Sequence, residues 1–516
     1  MNLDARLLQE VRHLSGKFWR NNIEDATVFV NQPKVKNRDA ILLSLVSLTV
    51  EKFSSQMMKR PTKPSELKLK TKLTLTIIPL IAGFLTAACQ STTSNNPGTT
   101  APTPAVQNAA TTPTAAATPA ASTPAATGNG LRLGSLLPST GDLASIGQPM
   151  IASVPLLVET VNKCGGVNGQ PVTLVSEDDQ TKPEAGAAAM TKLAEVDKVA
   201  GVVGSFASSV SSAAVDIAAR NKVMLISPGS TSPVFTERAK KGDFQGFWAR
   251  TAPPDTYQAQ ALAKLASERG FKRVSTVVIN NDYGVGFEQE FVKAFKALGG
   301  TVVNEAKPTR YDPKATTFES EAAAAFAGKP DGVVAVLYAE TGSLLLKSAY
   351  EQGLMKGVTV MLTDGVYSPE FPQQVGKTSD GKFILASAIG TVPGANGQSL
   401  AEFTKSWEAK KQRPVSAFVP HSWDAAALLA LAAQASKTNT GEGIKSKIRE
   451  VANAPGEEVT DVCKALELVR QGKDINYQGA SGNVDIDENG DVIGSYDVWS
   501  VLDDGKLKVT GKISPK

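Results

Sequence analysis

Serine residues crowd the point where a predicted strand, residues 201–203, turns into a predicted helix. The cluster comprises Ser205, Ser208, Ser209, Ser211 and Ser212. Serine hydroxyls and the free backbone N–H groups at a helix start point the same way, at the positive end of the helix dipole. The cluster therefore predicts a site for an anion that contains no basic side chain. Capping of the helix by Ser208 or Ser209 explains the same serines equally well.

Hydrogen-bond acceptors follow two further predicted strands. Residues 227–231 come directly after a buried strand, so their hydroxyls and the Gly229 carbonyl are expected beside the serine cluster. Asp364 ends the apolar run at 360–363 and offers a full negative charge. Donors for a carboxylate beside acceptors for an ammonium indicate an α-amino acid as the ligand. A plain turn at Asp364 and Gly365 is the alternative for that position.

Residues for covalent catalysis are scarce. His421 is the single histidine between residues 131 and 516, which removes most zinc sites and ordinary Ser-His-Asp hydrolases. Ser422 and Asp424 follow it at the start of one predicted helix, too close together to line up a nucleophile, a base and an orienting acid. We therefore expect no enzyme activity and no cofactor.

One segment matches the opening of a calcium-binding EF-hand loop. Residues 485–490 have the required acidic residues and glycine, but the twelfth position of the loop is Tyr496, where a bidentate glutamate is needed. A hairpin turn at residues 488–490 is the better interpretation. We expect no metal site.

The elements that position these segments follow an α/β pattern. From residue 131, short strands rich in Val, Ile and Leu alternate with amphipathic helices, which is typical of parallel sheets covered on both faces. The pattern restarts after Pro253 and Pro254, so the sequence predicts two doubly wound lobes. Ligands of such sheets bind beyond the carboxyl ends of the strands. The 54 Lys and Arg nearly balance the 50 Asp and Glu and form no basic face, so nucleic acid is not an expected partner.

Cys89 ends a segment with the features of a lipoprotein signal peptide, which we place at residues 58–89. Its apolar run, residues 73–88, is shorter than the roughly 20 residues of a membrane-spanning helix and ends in small side chains. A buried helix that ends at a chance cysteine is the alternative. Residues 90–130 are rich in Thr, Pro and Ala and predict a disordered tether. Residues 1–57 are unassigned, either a cytoplasmic extension or the result of a start codon placed too early.

Two cysteines remain besides Cys89, namely Cys164 and Cys463. An exported chain lies in an oxidising compartment, where cysteines tend to pair. A disulfide between them and two separate buried thiols are both open interpretations. The distance between the two residues, which the sequence does not give, decides between them.

Several short motifs at the strand ends resemble the substrate-binding proteins of branched-chain and neutral amino-acid ABC transporters, the leucine/isoleucine/valine-binding family. Their order and spacing together are specific, although each is short. The motifs are Gly134-Ser135-Leu136-Leu137-Pro138-Ser139-Thr140-Gly141, Gly165-Gly166-Val167-Asn168-Gly169, Leu225-Ile226-Ser227-Pro228, Asn281-Asp282-Tyr283-Gly284 and Asn476-Tyr477-Gln478-Gly479-Ala480-Ser481-Gly482.

The resemblance covers residues 131–516 and implies the type I periplasmic binding fold, with two lobes joined by a three-segment hinge. It places lobe I at about 131–252 and 388–476. Lobe II then occupies about 253–387 and 477–516. In this fold a ligand is held between the lobes, so residues from both are expected to form one site.

The resemblance also implies roles for individual residues. It places the family's carboxylate-binding serine at Ser208 and its ammonium acceptors at Gly229, Thr231 and Asp364. The aromatic side chain with which lobe II closes over the ligand falls at Tyr283. These residues include those that the strand-end pattern selected.

The family often has an aromatic residue just before a glycine in the first loop, and here Ile146 holds that place before Gly147. This replacement predicts an apolar pocket wall and a neutral aliphatic ligand side chain. The resemblance implies a monomer in the periplasm or another extracytoplasmic space, lipid-anchored to a membrane, that delivers the amino acid to an ABC permease and its ATPase subunits. Binding of urea or a short-chain amide, and a ligand-sensing receptor of the same fold, are the alternatives.

Overall fold

The computed structural model describes residues 130–514, and the predicted N-terminal segments up to residue 129, with Cys89, lie outside this range. Its first half, lobe I, is built on five parallel strands in the order β2-β1-β3-β4-β5. The strands are β1 (Arg132–Leu137), β2 (Thr173–Asp178), β3 (Gly201–Gly204), β4 (Met224–Ser227) and β5 (Trp248–Arg250). The helices are α1 (Ala144–Ile151), α2 (Ser153–Lys163), α3 (Pro183–Thr191) with a π-helical turn (Lys192–Val196), α4 (Ser208–Arg220) and α5 (Val234–Lys240).

The chain then crosses into lobe II, which forms a second sheet. Its strands are β6 (Arg273–Ile279), β7 (Thr301–Val302), β8 (Thr309–Tyr311), β9 (Gly332–Val336), β10 (Thr359–Leu362) and β11 (Ile389–Pro393). Its helices are α6 (Asp255–Glu268), α7 (Asp282–Ala297), α8 (Glu319–Phe326), α9 (Ala339–Glu351), a 3₁₀ turn (Asp364–Val366) and α10 (Phe371–Val375).

The last part of the chain returns to lobe I and then completes lobe II. It adds the helices α11 (Leu400–Lys411), α12 (Val419–Ser436), α13 (Gly441–Ala452) and α14 (Val462–Arg470), with the strands β12 (Glu457–Val459), β13 (Ile475–Tyr477), β14 (Tyr496–Val501) and β15 (Leu507–Ile513). The order of the second sheet is β15-β14-β11-β10-β9-β6-β7, and β8 also pairs with β6. Strands β14 and β15 are antiparallel, an edge addition to the predicted parallel sheet.

The alternation of strands and helices follows from which residues are buried. All five residues of β9 are buried, as are six of the seven in β6, because helices cover both faces of these central strands. On α4, Val210, Ala214 and Ala218 recur at four-residue spacing and are buried against the sheet of lobe I. The predicted α/β fold with two doubly wound lobes is therefore confirmed.

The first crossover, after β5, is where the sequence places it, and strand pairing shifts two later boundaries from their approximate predicted positions. Strand β11 pairs with β10 and β14, so lobe II extends to residue 393 and not only to 387. Residues 477–491 stay with lobe I, because β13 pairs with β12 and the backbone of Ile486 bonds to the side chain of Asn453. The lobe to which each segment belongs is decided by strand pairing and hydrogen bonds with residues distant in sequence, and a local sequence pattern does not reveal these.

Cys164, at the end of α2, and Cys463, in the first turn of α14, are joined as a disulfide with their Cα atoms 5.5 Å apart. The two residues are 299 positions apart in the sequence. A link across so long a loop removes much conformational freedom from the unfolded chain. Both helices belong to lobe I, so the bridge fastens one lobe internally and leaves the lobes free to move relative to each other.

The segment that resembles an EF-hand forms a turn. The N–H of Gly490 donates to the Asp487 carbonyl, and the Asp487 carboxylate accepts the N–H groups of Asn489 and Asp491. Its acidic groups thus serve the turn itself. Among residues 130–514 no three His, Cys, Asp or Glu side chains are grouped as a metal site would need.

Candidate ligand-binding site between the lobes

A small cavity lies between the lobes, where the carboxyl ends of both sheets face each other. Its volume is about 10 Å³, enough for about one water molecule. Lobe I contributes Leu143, Phe206, Ala207, Ser208 and Gly229, and lobe II contributes Tyr283, Tyr338, Asp364 and Gly365. The lobes are thus closed on each other, and a ligand of amino-acid size enters only when they separate.

A larger groove, of about 380 Å³, lies on lobe II between α6 and α7. Its walls include Ala261, Leu298 and Ile513, with the long side chains of Lys264 and Lys293 at its edges. It receives nothing from lobe I and no residue from the carboxyl ends of the central strands. The interlobe cavity is therefore the candidate site.

The serine cluster of lobe I divides into one cavity residue and a supporting network. Ser208, the first residue of α4, is 2% exposed and lines the cavity, and its Oγ accepts the N–H of Ser232 at 3.3 Å. Ser211 and Ser230 bond to each other and to the Ser205 carbonyl, so these hydroxyls are used inside the protein. The Ser208 hydroxyl keeps its hydrogen as a donor for the cavity.

Phe206, in the first loop of lobe I after β3, packs closely against Gly229, in the second loop after β4. A Cβ atom on Gly229 would lie 2.2 Å from the Phe206 ring, so no larger residue fits at this position without a shift. Phe206 itself is fixed by an edge contact with Phe418 at 4.8 Å between ring centroids. The glycine that the sequence selected is thus required by packing, and it lines the cavity.

Arg250 supports the second loop of lobe I from behind. This side chain is fully buried and donates to the carbonyls of Ser230 and Ser232 at 3.0 and 2.9 Å. Its Nε pairs with Asp491 at 2.8 Å, so its charge is balanced within lobe I. The sequence reasoning missed Arg250, because a single arginine at the end of a strand carries no distinctive pattern.

Lobe II faces the cavity with a buried carboxylate. Asp364 is 2% exposed, and its Oδ1 accepts from Gln258 Nε2 at 2.8 Å and from the Tyr283 hydroxyl at 2.9 Å. Burial raises the pKa of Asp364 to about 6. The Tyr283 ring stacks on that of Tyr338 with 5.7 Å between centroids. The two rings and the carboxylate form one wall of the site.

A second carboxylate, Asp255, lies fully buried at the start of α6 behind this wall. Burial and the charge of Asp364 raise the pKa of Asp255 well above its ordinary value, and Thr231 and Arg250 oppose this only in part. Neither Oδ atom makes a close hydrogen bond with the residues the structure describes. Burial disfavours the charged forms of both carboxyl groups, so a cationic group in the cavity beside Asp364 would stabilise them.

Most of the predicted site residues meet in this cavity. Ser208, Gly229, Tyr283 and Asp364 line it, whereas Thr231 lies just behind, buried, with its carbonyl accepting the N–H of Asp255 at 2.8 Å. The sequence reasoning did not assign Asp255, Gln258 or Tyr338. Tyr338 follows β9, so its position after a strand end was the available signal.

Ile146 is not among the residues that line the closed cavity, so its role as a pocket wall stays a prediction. It is buried in the core of lobe I, while Leu143, just before α1, lines the cavity instead. Helix α1 packs closely on the loop after β1, since a Cβ on Gly147 would lie 2.0 Å from the Pro138 carbonyl.

His421 and Asp424, which the sequence analysis judged unsuited to catalysis, have roles in the fold. His421 is 1% exposed, and burial lowers its pKa to about 3, so it is neutral at physiological pH. The Asp424 carboxylate accepts the N–H groups of Ala480 and Ser481 at 3.0 and 2.7 Å. Asp424 thereby holds the chain that leads toward the last crossover.

Known proteins match this chain over the same region. The family described as "Receptor family ligand binding region" matches residues 151–504. The chemotactic signal transduction system substrate-binding protein BasB of Halobacterium salinarum is 27% identical over 397 residues, which are 73% of this chain and 88% of that protein. Leu/Ile/Val-binding protein homolog 1 of Brucella abortus is 28% identical over 323 residues, 61% and 81% of the two chains.

Solved structures share the fold. The leucine-binding protein LivK of Thermotoga maritima superposes with a TM-score of 0.62 at 24% identity, covering 75% of this chain and 99% of that one. A solute-binding protein of an ABC transporter from R. palustris, in complex with benzoate, gives 0.60 at 21% identity, covering 75% and 97%. The chain therefore belongs to the receptor family ligand-binding region, as a solute-binding homologue of the Leu/Ile/Val-binding proteins with the type I periplasmic binding fold.

Proposed function

We propose that this protein captures a neutral amino acid, with a branched aliphatic side chain preferred, between its two lobes and delivers it to an ABC permease and its ATPase subunits. The observation that carries the proposal is the charge arrangement of the cavity. Ser208 and the first backbone N–H groups of α4 offer donors on one side, and the Asp364 carboxyl, with a pKa of about 6, offers negative charge at neutral pH on the other. An α-amino acid has a carboxylate and an ammonium to match both.

The same arrangement argues against a benzoate, the ligand in the R. palustris structure. Benzoate has a negative group and no positive one, so it would leave the Asp364 carboxylate without a counter-charge in a closed, dry site. A buried charge without a partner costs several kcal/mol. Urea and short-chain amides are neutral and fail for the same reason, which ranks them below amino acids.

In the proposed mechanism the open protein first binds the ligand to lobe I. The ligand carboxylate accepts from Ser208 and from the helix start, where the dipole favours an anion. Closure then brings Tyr283, Tyr338 and Asp364 over the ligand, and the ammonium meets the Asp364 carboxylate. Exclusion of water lowers the local dielectric and strengthens this contact. The ligand side chain packs against Leu143 and Phe206.

A titration panel tests the ligand class. Calorimetric titration of the purified protein with leucine, isoleucine, valine, glutamate, lysine, urea, acetamide and benzoate is expected to show binding of the three aliphatic amino acids. A ligand at a hundredfold excess over its Kd adds about 2.7 kcal/mol of stability, so thermal shifts provide a second reading. Binding of benzoate or urea without any amino acid would reject the proposal.

The location of the protein is proposed from its sequence. Cys89 acylation would hold the protein at the membrane on the tether of residues 90–130, in an extracytoplasmic space. Cys89→Ser is expected to release the protein from the membrane fraction or to leave it uncleaved. Unchanged partition at normal size in this variant would contradict the lipid anchor.

A sensing role is the second candidate, because the relative BasB is named as part of a chemotactic signal transduction system and is matched over 88% of its length. The ligand site would be the same in both roles. Stimulation of a reconstituted permease ATPase by the liganded protein would support transport. Binding of the liganded protein to a chemoreceptor, without such stimulation, would support sensing.

A further inference from the structure

The two lobes touch each other through hydrogen bonds that do not involve the ligand cavity. The first contact joins Asp142, in the loop between β1 and α1 of lobe I, to the start of α9 in lobe II. Asp142 Oδ1 accepts the N–H groups of Glu340 and Thr341 at 2.6 and 3.1 Å, and Oδ2 accepts the Thr341 hydroxyl at 2.7 Å. One carboxylate of lobe I thus caps a helix of lobe II.

The second contact lies at the start of α7, the other helix of lobe II that reaches the cavity. Asp282 is the first residue of this helix, and its Oδ2 accepts the Ser212 hydroxyl of lobe I at 2.5 Å. The Asp282 carbonyl also accepts the Ser232 hydroxyl at 2.8 Å. Ser232 belongs to the second loop of lobe I, whose backbone Arg250 holds.

These contacts lie beside the residues that close over the cavity. Tyr338 immediately precedes α9, and Tyr283 is the second residue of α7. The Thr341 hydroxyl that meets Asp142 also lies 3.3 Å from the Tyr311 hydroxyl, which accepts the N–H of Tyr338 at 3.2 Å. Each helix start that carries a cavity tyrosine is therefore tied to lobe I when the lobes are closed.

We infer that Asp142 is a positioning residue for ligand capture: it locks α9, and with it Tyr338, against lobe I in the closed form and so slows ligand release. Asp142 does not line the cavity, so its contribution is made to closure and not to ligand contact. All three of its bonds cross between the lobes, and the open form must give them up. The inference rests on the proposed function in requiring that closure traps a ligand.

Loss of the Asp142 contacts is expected to raise the Kd of every ligand by a similar factor. Loss of contacts that exist only in the closed form shifts the lobes toward the open form, whichever ligand is bound. Asp142→Ala is expected to raise Kd roughly tenfold for each ligand, in line with the loss of hydrogen bonds to a charged group, and to do so through the dissociation rate. Asp142→Asn keeps one acceptor oxygen and is expected to restore part of the loss.

A matched control separates closure from general stability. The Asp331 carboxylate accepts the N–H groups of Lys272 and Arg273 at 2.7 and 2.8 Å, all within lobe II and at the amino end of β9, away from the cavity. Asp331→Ala removes comparable carboxylate bonds without touching the closure. It is expected to lower the melting temperature and leave the dissociation rate unchanged.

The experiment combines stopped-flow dissociation with small-angle X-ray scattering on parent, Asp142→Ala, Asp142→Asn, Thr341→Val, the double variant and Asp331→Ala. Faster release from Asp142→Ala for every ligand, a larger radius of gyration at saturation, and non-additivity with Thr341→Val support the inference. Parental release and scattering in Asp142→Ala, or an effect confined to one ligand, would overturn it. If no amino acid binds, the proposed function fails, and scattering of the ligand-free variants still tests whether Asp142 favours closure.

Discussion

The polar groups of the two cavity walls are hydrogen-bonded within the protein to different degrees. On lobe I, Ser205, Ser211 and Ser230 bond to one another, and a buried arginine with its own counter-ion holds the second loop. On lobe II, the Asp364 carboxylate accepts hydrogen bonds from two side chains, while Asp255 behind it makes no close hydrogen bond with the described residues. In the proposed function, lobe I is the preformed receptor for the ligand carboxylate. Lobe II holds two carboxyl groups whose pKa values burial raises, and in the proposed function a cationic ligand group stabilises their charged forms.

This difference indicates how the site distinguishes its ligands. Preformed neutral donors bind many anions with a modest gain in binding free energy, because they form hydrogen bonds to water equally well in the open form. Buried carboxylates are costly to leave unpaired, so they penalise every ligand that lacks an ammonium. We therefore expect lobe I to set the orientation of the ligand and lobe II to set its class.

The largest expected effect comes from removing the charge of lobe II. Asp364→Asn keeps the shape of the side chain and one acceptor but leaves a ligand ammonium without its counter-charge. The expected cost is about 2 to 5 kcal/mol of binding free energy, or roughly thirtyfold to several thousandfold in Kd by titration calorimetry. Asp503→Asn, an exposed lobe II carboxylate, is the control and is expected to bind as the parent does.

A smaller effect is expected from distorting lobe I. Gly229→Ala places a Cβ within 2.2 Å of the Phe206 ring, which Phe418 prevents from moving freely. Overpacking of this kind costs about 1 to 3 kcal/mol. Thermal unfolding and calorimetry should show both a lower melting temperature and weaker binding. A variant that binds as the parent does would show that the loops of lobe I adjust more than this packing implies.

The removal of one neutral donor should cost less. Ser208→Ala deletes a hydroxyl that lines the cavity, while the backbone N–H groups at the start of α4 still face a ligand carboxylate. We expect a loss of about 1 to 2 kcal/mol in binding free energy. The comparison of the walls fails if Ser208→Ala weakens amino-acid binding more than Asp364→Asn does.

The dependence on pH distinguishes the walls as well. The pKa of Asp364 is raised to about 6 by burial, so below that pH the carboxyl is protonated and attracts an ammonium less. Affinity for an amino acid is expected to fall by up to about tenfold per pH unit below 6 in the parent, and much less in Asp364→Asn. Without ligand the sign is opposite: a raised folded-state pKa contributes stability at low pH that is lost as pH rises through 6. Titrations and melting curves between pH 4.5 and 8 give both readings.

The sequence was sufficient for the residues whose role is local. Ser208, Gly229, Tyr283 and Asp364 each follow a buried strand, and parallel strands bring such ends together, so all four line the cavity. Ile146 does not line the cavity of the closed form, whereas Leu143 from the same segment does. A local resemblance fixes a position in sequence but not the direction of its side chain.

Other features depend on partners far away in the chain. Asp255 is the first residue of α6, and its importance arises only from burial next to Asp364, more than a hundred residues later. The same holds for the end of lobe II, where β11 is assigned by its pairing with β14 near the end of the chain. Alternation of strands and helices predicted two lobes, whereas their boundaries required the pairing of distant segments.

The central claim is that lobe II recognises an ammonium group, and a pair of ligands that differ only in that group tests it most directly. Calorimetric titration of the protein with leucine and with 4-methylpentanoate, its analogue without the amine, keeps the carboxylate and the side chain constant. The account predicts that the analogue binds at least a hundredfold more weakly, about 2.7 kcal/mol, and that Asp364→Asn narrows this gap. Equal affinity for the two ligands would contradict it.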